Sequence, residues 1–155
     1  MVDDARFEDG AEAPVALRAL EAADVPVISA LIQDAVFPIT EMTWAKSKRR
    51  FAILLNRYRW ERPGAAPKPE RVQSVLVVED VAAVRSQGVD RAETELVLSC
   101  LAIEWTAGED GQGTLTLILA GDGAVALDVE ALEVTLKDVT RPYMAPSGRT
   151  PDHGA

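Results

Sequence analysis

The feature that most restricts this chain is a change of hydrophobic period near residue 37. Before it, Val25, Ile28, Leu31, Ile32 and Ala35 recur at helical spacing. After it, apolar residues follow a period of two through several turn signals as far as Val129. Strand side chains point alternately to opposite faces, so a chain that keeps this period must build a sheet with a buried face.

Individual elements follow from that reading. Val15 to Leu20 predicts a short strand. Asp24 reads as an N-cap with Pro26 tolerated in the first turn, and the helix runs from about 23 to 35, ending before Pro38. Phe37 to Trp44 and Arg49 to Trp60 predict two strands joined by the polar turn Ala45 to Lys48. The second is apolar on both faces in its middle, as a central strand would be. Arg71 to Val78 is a further strand, and Glu79-Asp80 marks a bulge or bend before Val81 to Arg85. In the strand Glu95 to Trp105, Leu96, Leu98, Cys100 and Ala102 fall on one face, with Val97, Leu101, Ile103 and Trp105 on the other. Gly108 to Gly111 turns the chain into Thr114 to Leu119. Gly121-Asp122-Gly123 is a tight hairpin signal before Val125 to Val129, because such turns need positive φ angles. Leu132, Leu136 and Val139 then recur at helical spacing, with Glu130 and Glu133 in a first turn that favours negative charge, which predicts a helix over 131–139.

The expected fold is therefore α+β. It is an antiparallel sheet or partly closed barrel of about six to seven strands in meander order, with one helix in the N-terminal half and one C-terminal helix. Several strands followed by a helix is also the order of pleckstrin-homology-like barrels. No glycine-rich strand-to-helix loop is present, which argues against the nucleotide folds.

The length of 155 residues suits one domain, expected over 14–140. Residues 1–13 carry Asp3, Asp4, Glu8 and Asp9 and read as a disordered acidic tail without the basic start and apolar stretch of a signal peptide. Residues 141–155, with Pro142, Pro146, Pro151, Gly148 and Gly154, read as a flexible tail. Three prolines and a glycine between Arg62 and Glu70 predict an internal loop. No apolar run approaches the roughly 18 residues of a membrane span. A cytoplasmic protein without membrane contact is expected.

Composition narrows the chemistry. The lone Cys100 excludes an intrachain disulfide and a cysteine-built zinc site, and mid-strand it reads as a small buried hydrophobe. The lone His153 lies among prolines and glycines, a poor place for a catalytic imidazole. Glu109, Asp110 and Asp122 sit in turns whose spacing is not that of a calcium loop. No metal and no cofactor is expected.

Charge is unevenly spread. Residues 46–71 hold nine cations against two acids, a net +7, so the rest of the −9 chain carries −16. Trp44, Phe51, Tyr58 and Trp60 lie in or beside this segment, and cations interleaved with aromatics suit a phosphate or nucleic-acid surface. Strand geometry divides it, because Lys48 and Arg59 would lie roughly 35 Å apart at about 3.3 Å per residue. One cluster is a hairpin tip with Lys46, Lys48, Arg49 and Arg50. The other is a far end with Arg57, Arg59, Trp60 and Arg62, joined by Arg71. Neither makes a nucleic-acid track, and the bland alternative is that these cations bridge to the protein's many carboxylates.

The stretches Val27 to Val36, Arg49 to Glu61 and Glu70 to Val72 resemble an uncharacterised bacterial family, domain of unknown function 2948, found mostly in alphaproteobacteria. Val97 to Ile103, Gly113 to Leu117 and Ile118 to Val139 extend the resemblance over most of residues 15–140. It implies a housekeeping role in the cytoplasm and supplies no catalytic residue or cofactor.

Three functions are compatible with these residues. The favoured one is a non-enzymatic module that binds a protein partner or self-associates. The second is an anion-binding module using Lys46, Lys48 and Arg50, with a phosphorylated ligand. The third is an enzyme working with carboxylates and arginines alone, which requires a pocket beside Arg57, Arg59 or Glu61. Across these readings the candidate contact residues are Lys46, Lys48, Arg50, Arg57, Arg59, Trp60 and Arg62.

Overall fold

The computed structural model describes residues 14–60 and 70–144. The expected N-terminal tail, residues 145–155 of the expected C-terminal tail and most of the Pro/Gly loop, including Arg62 and His153, lie outside the described residues. Strand β1 (Ala16–Ala19) leads through a short 3-10 turn into helix α1 (Val25–Leu31). There follow β2 (Val36–Pro38), β3 (Met42–Ala45), β4 (Arg50–Tyr58), β5 (Glu70–Val78), β6 (Val81–Gln87), β7 (Val97–Ala107), β8 (Gly113–Leu119), β9 (Ala124–Val129), β10 (Val134–Asp138) and β11 (Tyr143–Met144).

All eleven strands join one antiparallel sheet in the order β1-β10-β5-β4-β2-β7-β8-β9-β6, with β3 also on β4 and β11 also on β5. The end strands β1 and β6 do not pair, so the sheet is open. Its buried side chains, among them Phe51, Ile53 and Leu76 from one half and Leu117, Val125 and Leu127 from the other, form one cluster. The sheet therefore curls over its own face.

Several expectations are corrected. There are eleven strands among the described residues, more than the six or seven expected. The 3-10 turn Ile39–Glu41 splits the stretch Phe37 to Trp44 into two strands, and Tyr143–Met144 adds a further short one. Meander order holds for β3-β4-β5 and for β7-β8-β9, but β2 lies between β4 and β7, β10 inserts beside β5, and β6 pairs with β9. Residues 131–139 form no helix. Val134 and Leu136 are both fully buried, so β10 obeys period two, and β-branched Val134 and Thr135 suit a strand between β1 and β5. Without that helix, and with the sheet open, the pleckstrin-homology-like order is not met.

The N-terminal helix is real but shorter than expected. Pro26 sits in its first turn, and Asp24 reaches back so that its carboxylate accepts the N–H groups of Leu20 and Glu21 at 3.3 Å. Asp34, at φ +65°, turns the chain after it. Glu79-Asp80 is a bend, with Asp80 at φ +56°, and it carries the chain from one half of the sheet to the other.

Strand β7 belongs to both halves, pairing with β2 at its start and β8 at its end. Its apolar residues on both faces have a specific cause. The register shifts between Cys100 and Ala102, so Leu98 and Cys100 face the core before the bulge and Ile103 after it. The Ile103 N–H donates to Ser29 Oγ of α1 at 3.0 Å, which satisfies a donor at this irregularity.

Candidate functional site

The inward face of β4 reads Phe51, Ile53, Leu55 and Arg57, and Arg59 keeps the alternation just past its end. A strand that buries every second residue must bury whatever stands there, so two arginines enter the interior. The Arg57 side chain is 0% exposed. Its guanidinium needs acceptors at that depth, and two neighbouring strands provide them. Ser74 lies on β5, and the ladder sets it opposite Asp138 on β10. Arg57 Nε donates to Ser74 Oγ at 3.0 Å and to Asp138 Oδ1 at 3.1 Å, and Nη2 donates to Asp138 Oδ2 at 3.0 Å. Ser74 Oγ donates to Asp138 Oδ1 at 2.7 Å, and the Val15 N–H to Oδ2 at 2.9 Å. One carboxylate thus clasps β4, β5, β10 and the segment entering β1.

Burial alone would push the Asp138 carboxyl up. The bonds from Arg57, the Val15 N–H and Ser74 outweigh it and hold the group below the usual carboxylate range. Asp138 is therefore a fixed anion near neutral pH, with both oxygens occupied, and a poor general acid or base.

Arg59 Nη1 donates to Glu70 Oε1 at 2.6 Å across the start of β5. A cavity of about 550 Å³ lies beside this pair, lined by Arg59, Glu70, Asp138, Thr140 and Arg141 among others. This is the kind of pocket that carboxylate–arginine chemistry would need. Both carboxylates in its wall are bonded to arginines.

The other face of the same strand end carries aromatics. Tyr58 and Trp60 rings lie 4.9 Å apart, and the Trp60 indole N–H donates to the Gln33 carbonyl at 2.8 Å, tying the strand end to the segment after α1. The Arg71 guanidinium stands 5.8 Å from the Tyr58 ring and donates to the Asn56 carbonyl at 3.2 Å. Tyr143 donates its hydroxyl to Asn56 Oδ1.

At the opposite end of β4 lies the hairpin tip. Arg49 pairs with Glu130, and Arg50 with Glu79 at 3.0 Å. Lys46 and Lys48 are exposed and make no ion pair among the described residues. The structure thus keeps Lys46, Lys48 and Arg50 apart from Arg57, Arg59 and Trp60, and it commits Arg50, Arg57 and Arg59 to carboxylates. Reading along the chain missed Ser74 and Asp138. Arg57 in the alternation of β4 signals that a buried acceptor must exist, but nothing local says which.

Cys100 is buried in β7, and burial pushes its thiol up to about 12, so it stays protonated. Among the described residues no three His, Cys, Asp or Glu side chains cluster as metal ligands would, and no helix is long and apolar enough to cross a membrane.

Strand β1 supplies a different kind of feature. The Val15 carbonyl accepts the Asp138 N–H at 2.9 Å, so Val15, Leu17 and Ala19 turn their backbone groups toward β10. By the same alternation Ala16 and Arg18 turn theirs outward, where no described strand pairs with them. Leu17 is 38% exposed and Leu20 54% exposed along this edge.

Fold and geometry together define an open, β-rich domain with an internal ionic clasp and an unpaired strand edge. The chain belongs to the family described as "Protein of unknown function (DUF2948)", whose model matches residues 15–153. Neither the curated proteins nor the solved structures provide a match.

Proposed function

We propose that this chain is a non-enzymatic interaction module, a single domain over 14–140, that self-associates by pairing β1 of one copy with β1 of another. The observation that carries this reading is the outward backbone of Ala16 and Arg18 beside exposed Leu17 and Leu20. An unpaired edge is a template for another strand, and natural proteins normally shield such edges. Antiparallel addition of β1 to its own copy gives a closed two-fold contact with the same surface on both sides.

The buried charges support binding over bond-making chemistry. Asp138 and Glu70 are spent on Arg57 and Arg59, so the cavity beside them has its carboxylates already engaged. In this reading the arginines hold strands in register. A cytoplasmic setting is part of the proposal and is supported by the single free cysteine.

Sedimentation equilibrium tests the idea directly. The expected result is a concentration-dependent dimer that Ala16→Pro shifts to monomer. Proline removes an outward N–H and leaves the ladder to β10 intact. Leu17→Lys should weaken the dimer in the same direction. A wild-type chain that stays monomeric at millimolar concentration, or a dimer indifferent to Ala16→Pro, would sink the self-association reading.

A further inference from the structure

The two halves of the sheet do not meet everywhere. β3 pairs only with β4, and β6 only with β9. Between them a cavity of about 220 Å³ opens from the surface toward the core. Phe51 and Val125, both nearly fully buried, lie in its depth. Half-buried Trp44 and Val84 face it from opposite halves of the sheet. Its exposed lining residues are Thr40, Ser86 and Arg91.

We infer that this cavity is a binding site for a small amphipathic carboxylate, an aromatic or short aliphatic acid. Size argues first. A dry apolar cavity of about 150 Å³ holds a benzene molecule, so this space takes one ring with a short substituent. Charge argues second. Arg91 is the one ionisable side chain in the lining, and it makes no ion pair among the described residues. In a chain of net charge −9, a cavity whose lone charge is a guanidinium selects an anion. A guanidinium binds a carboxylate through two parallel N–H bonds, and the Thr40 and Ser86 hydroxyls are further donors at the rim. The body of the ligand would lie against Trp44 and Phe51, where an aromatic ring gains edge or offset contacts. An apolar pocket with a few polar groups at one end is the usual form of a small-molecule site. None of its lining residues lies on β1, so the site stands independently of the self-association reading.

The probe is 3-phenylpropionate, with neutral 3-phenyl-1-propanol as its comparison. The readout is the indole N–H resonance of Trp44 in a titration followed by NMR, with Trp60 and Trp105 as internal controls. The expected result is a saturable shift at Trp44 for the acid at millimolar concentration or below. Arg91→Gln should weaken the acid by about tenfold, the worth of a charge-assisted bond, and leave the alcohol unchanged. Arg91 is exposed, so this variant keeps the fold. Val84→Trp should fill the space and abolish binding of both probes. No saturable shift up to about 10 mM, the weak end for a ligand this small, would overturn the site. Shifts centred on Trp60 or Trp105, or equal affinity for the acid in Arg91→Gln, would overturn it as well.

Discussion

Arg57 and Asp138 show how one residue's position in a strand dictates a partner far away. Arg57 takes a core position because β4 buries every second side chain, and the strand cannot skip a turn of the alternation. Once buried, its charge is tolerable only with Asp138 and Ser74 in bonding distance. Removing one partner leaves an uncompensated charge. Asp138→Ala should therefore cost about 3–5 kcal/mol in urea denaturation, whereas the paired change Arg57→Met with Asp138→Leu should recover most of that loss. The pair also carries a pH signature. Asp138 binds its proton less readily in the folded chain than in the unfolded one. Its contribution is present above the unfolded value of about 3.9 and is lost as pH falls through the lower folded value. Denaturation midpoints between pH 6 and pH 3 should fall more steeply for the wild type than for the paired variant.

Strand β10 decides between two periods that its residues satisfy at once. Leu132, Leu136 and Val139 match a helix, while Val134 and Leu136 match a strand. The strand wins because β1 and β5 offer backbone partners on both sides, and because both of its apolar side chains then reach the core. The two assignments make different demands. A helix would bury Leu136 and Val139 together, but in the strand Leu136 is 0% and Val139 49% exposed. Leu136→Ala should lower stability by about 2–5 kcal/mol, and Val139→Ala by no more than about 0.5 kcal/mol. Equal losses in urea denaturation would contradict the strand. The bulge in β7 is the same lesson from the other side. Glu95 to Trp105 reads as a strand in the sequence, but the switch of inward face after Cys100 is set by pairing with β8 and by Ser29.

For the whole molecule, all buried apolar residues among the described ones except Val72 form one cluster that spans both halves of the sheet. Leu55 lies in β4 and Leu127 in β9, and both belong to that one cluster. Unfolding should be a single cooperative transition. Tryptophan fluorescence and far-ultraviolet circular dichroism should give one shared midpoint in urea, and Leu55→Ala or Leu127→Ala should move both probes together. Two separated transitions would mean the halves fold independently. The uneven charge of the chain also resolves at this scale. Arg49, Arg50 and Arg57 of the +7 segment pair with Glu130, Glu79 and Asp138 of the acidic remainder, so the asymmetry in sequence becomes ionic stitching between strands.

Sequence alone determined what depends on a few adjacent residues. The period of β4 and of β8, the helix start at Asp24 and Pro26, and the hairpin at Gly121 and Asp122 with φ of +80° and +68° are all local choices of backbone and side chain. Tertiary structure decided everything that needs two distant segments. The acceptors of Arg57 are 17 and 81 residues away, and the cavity beside Arg91 is assembled from β3, β4, β6 and β9. Local periodicity fixes which face a side chain points to, but only the pairing of strands fixes what it meets there.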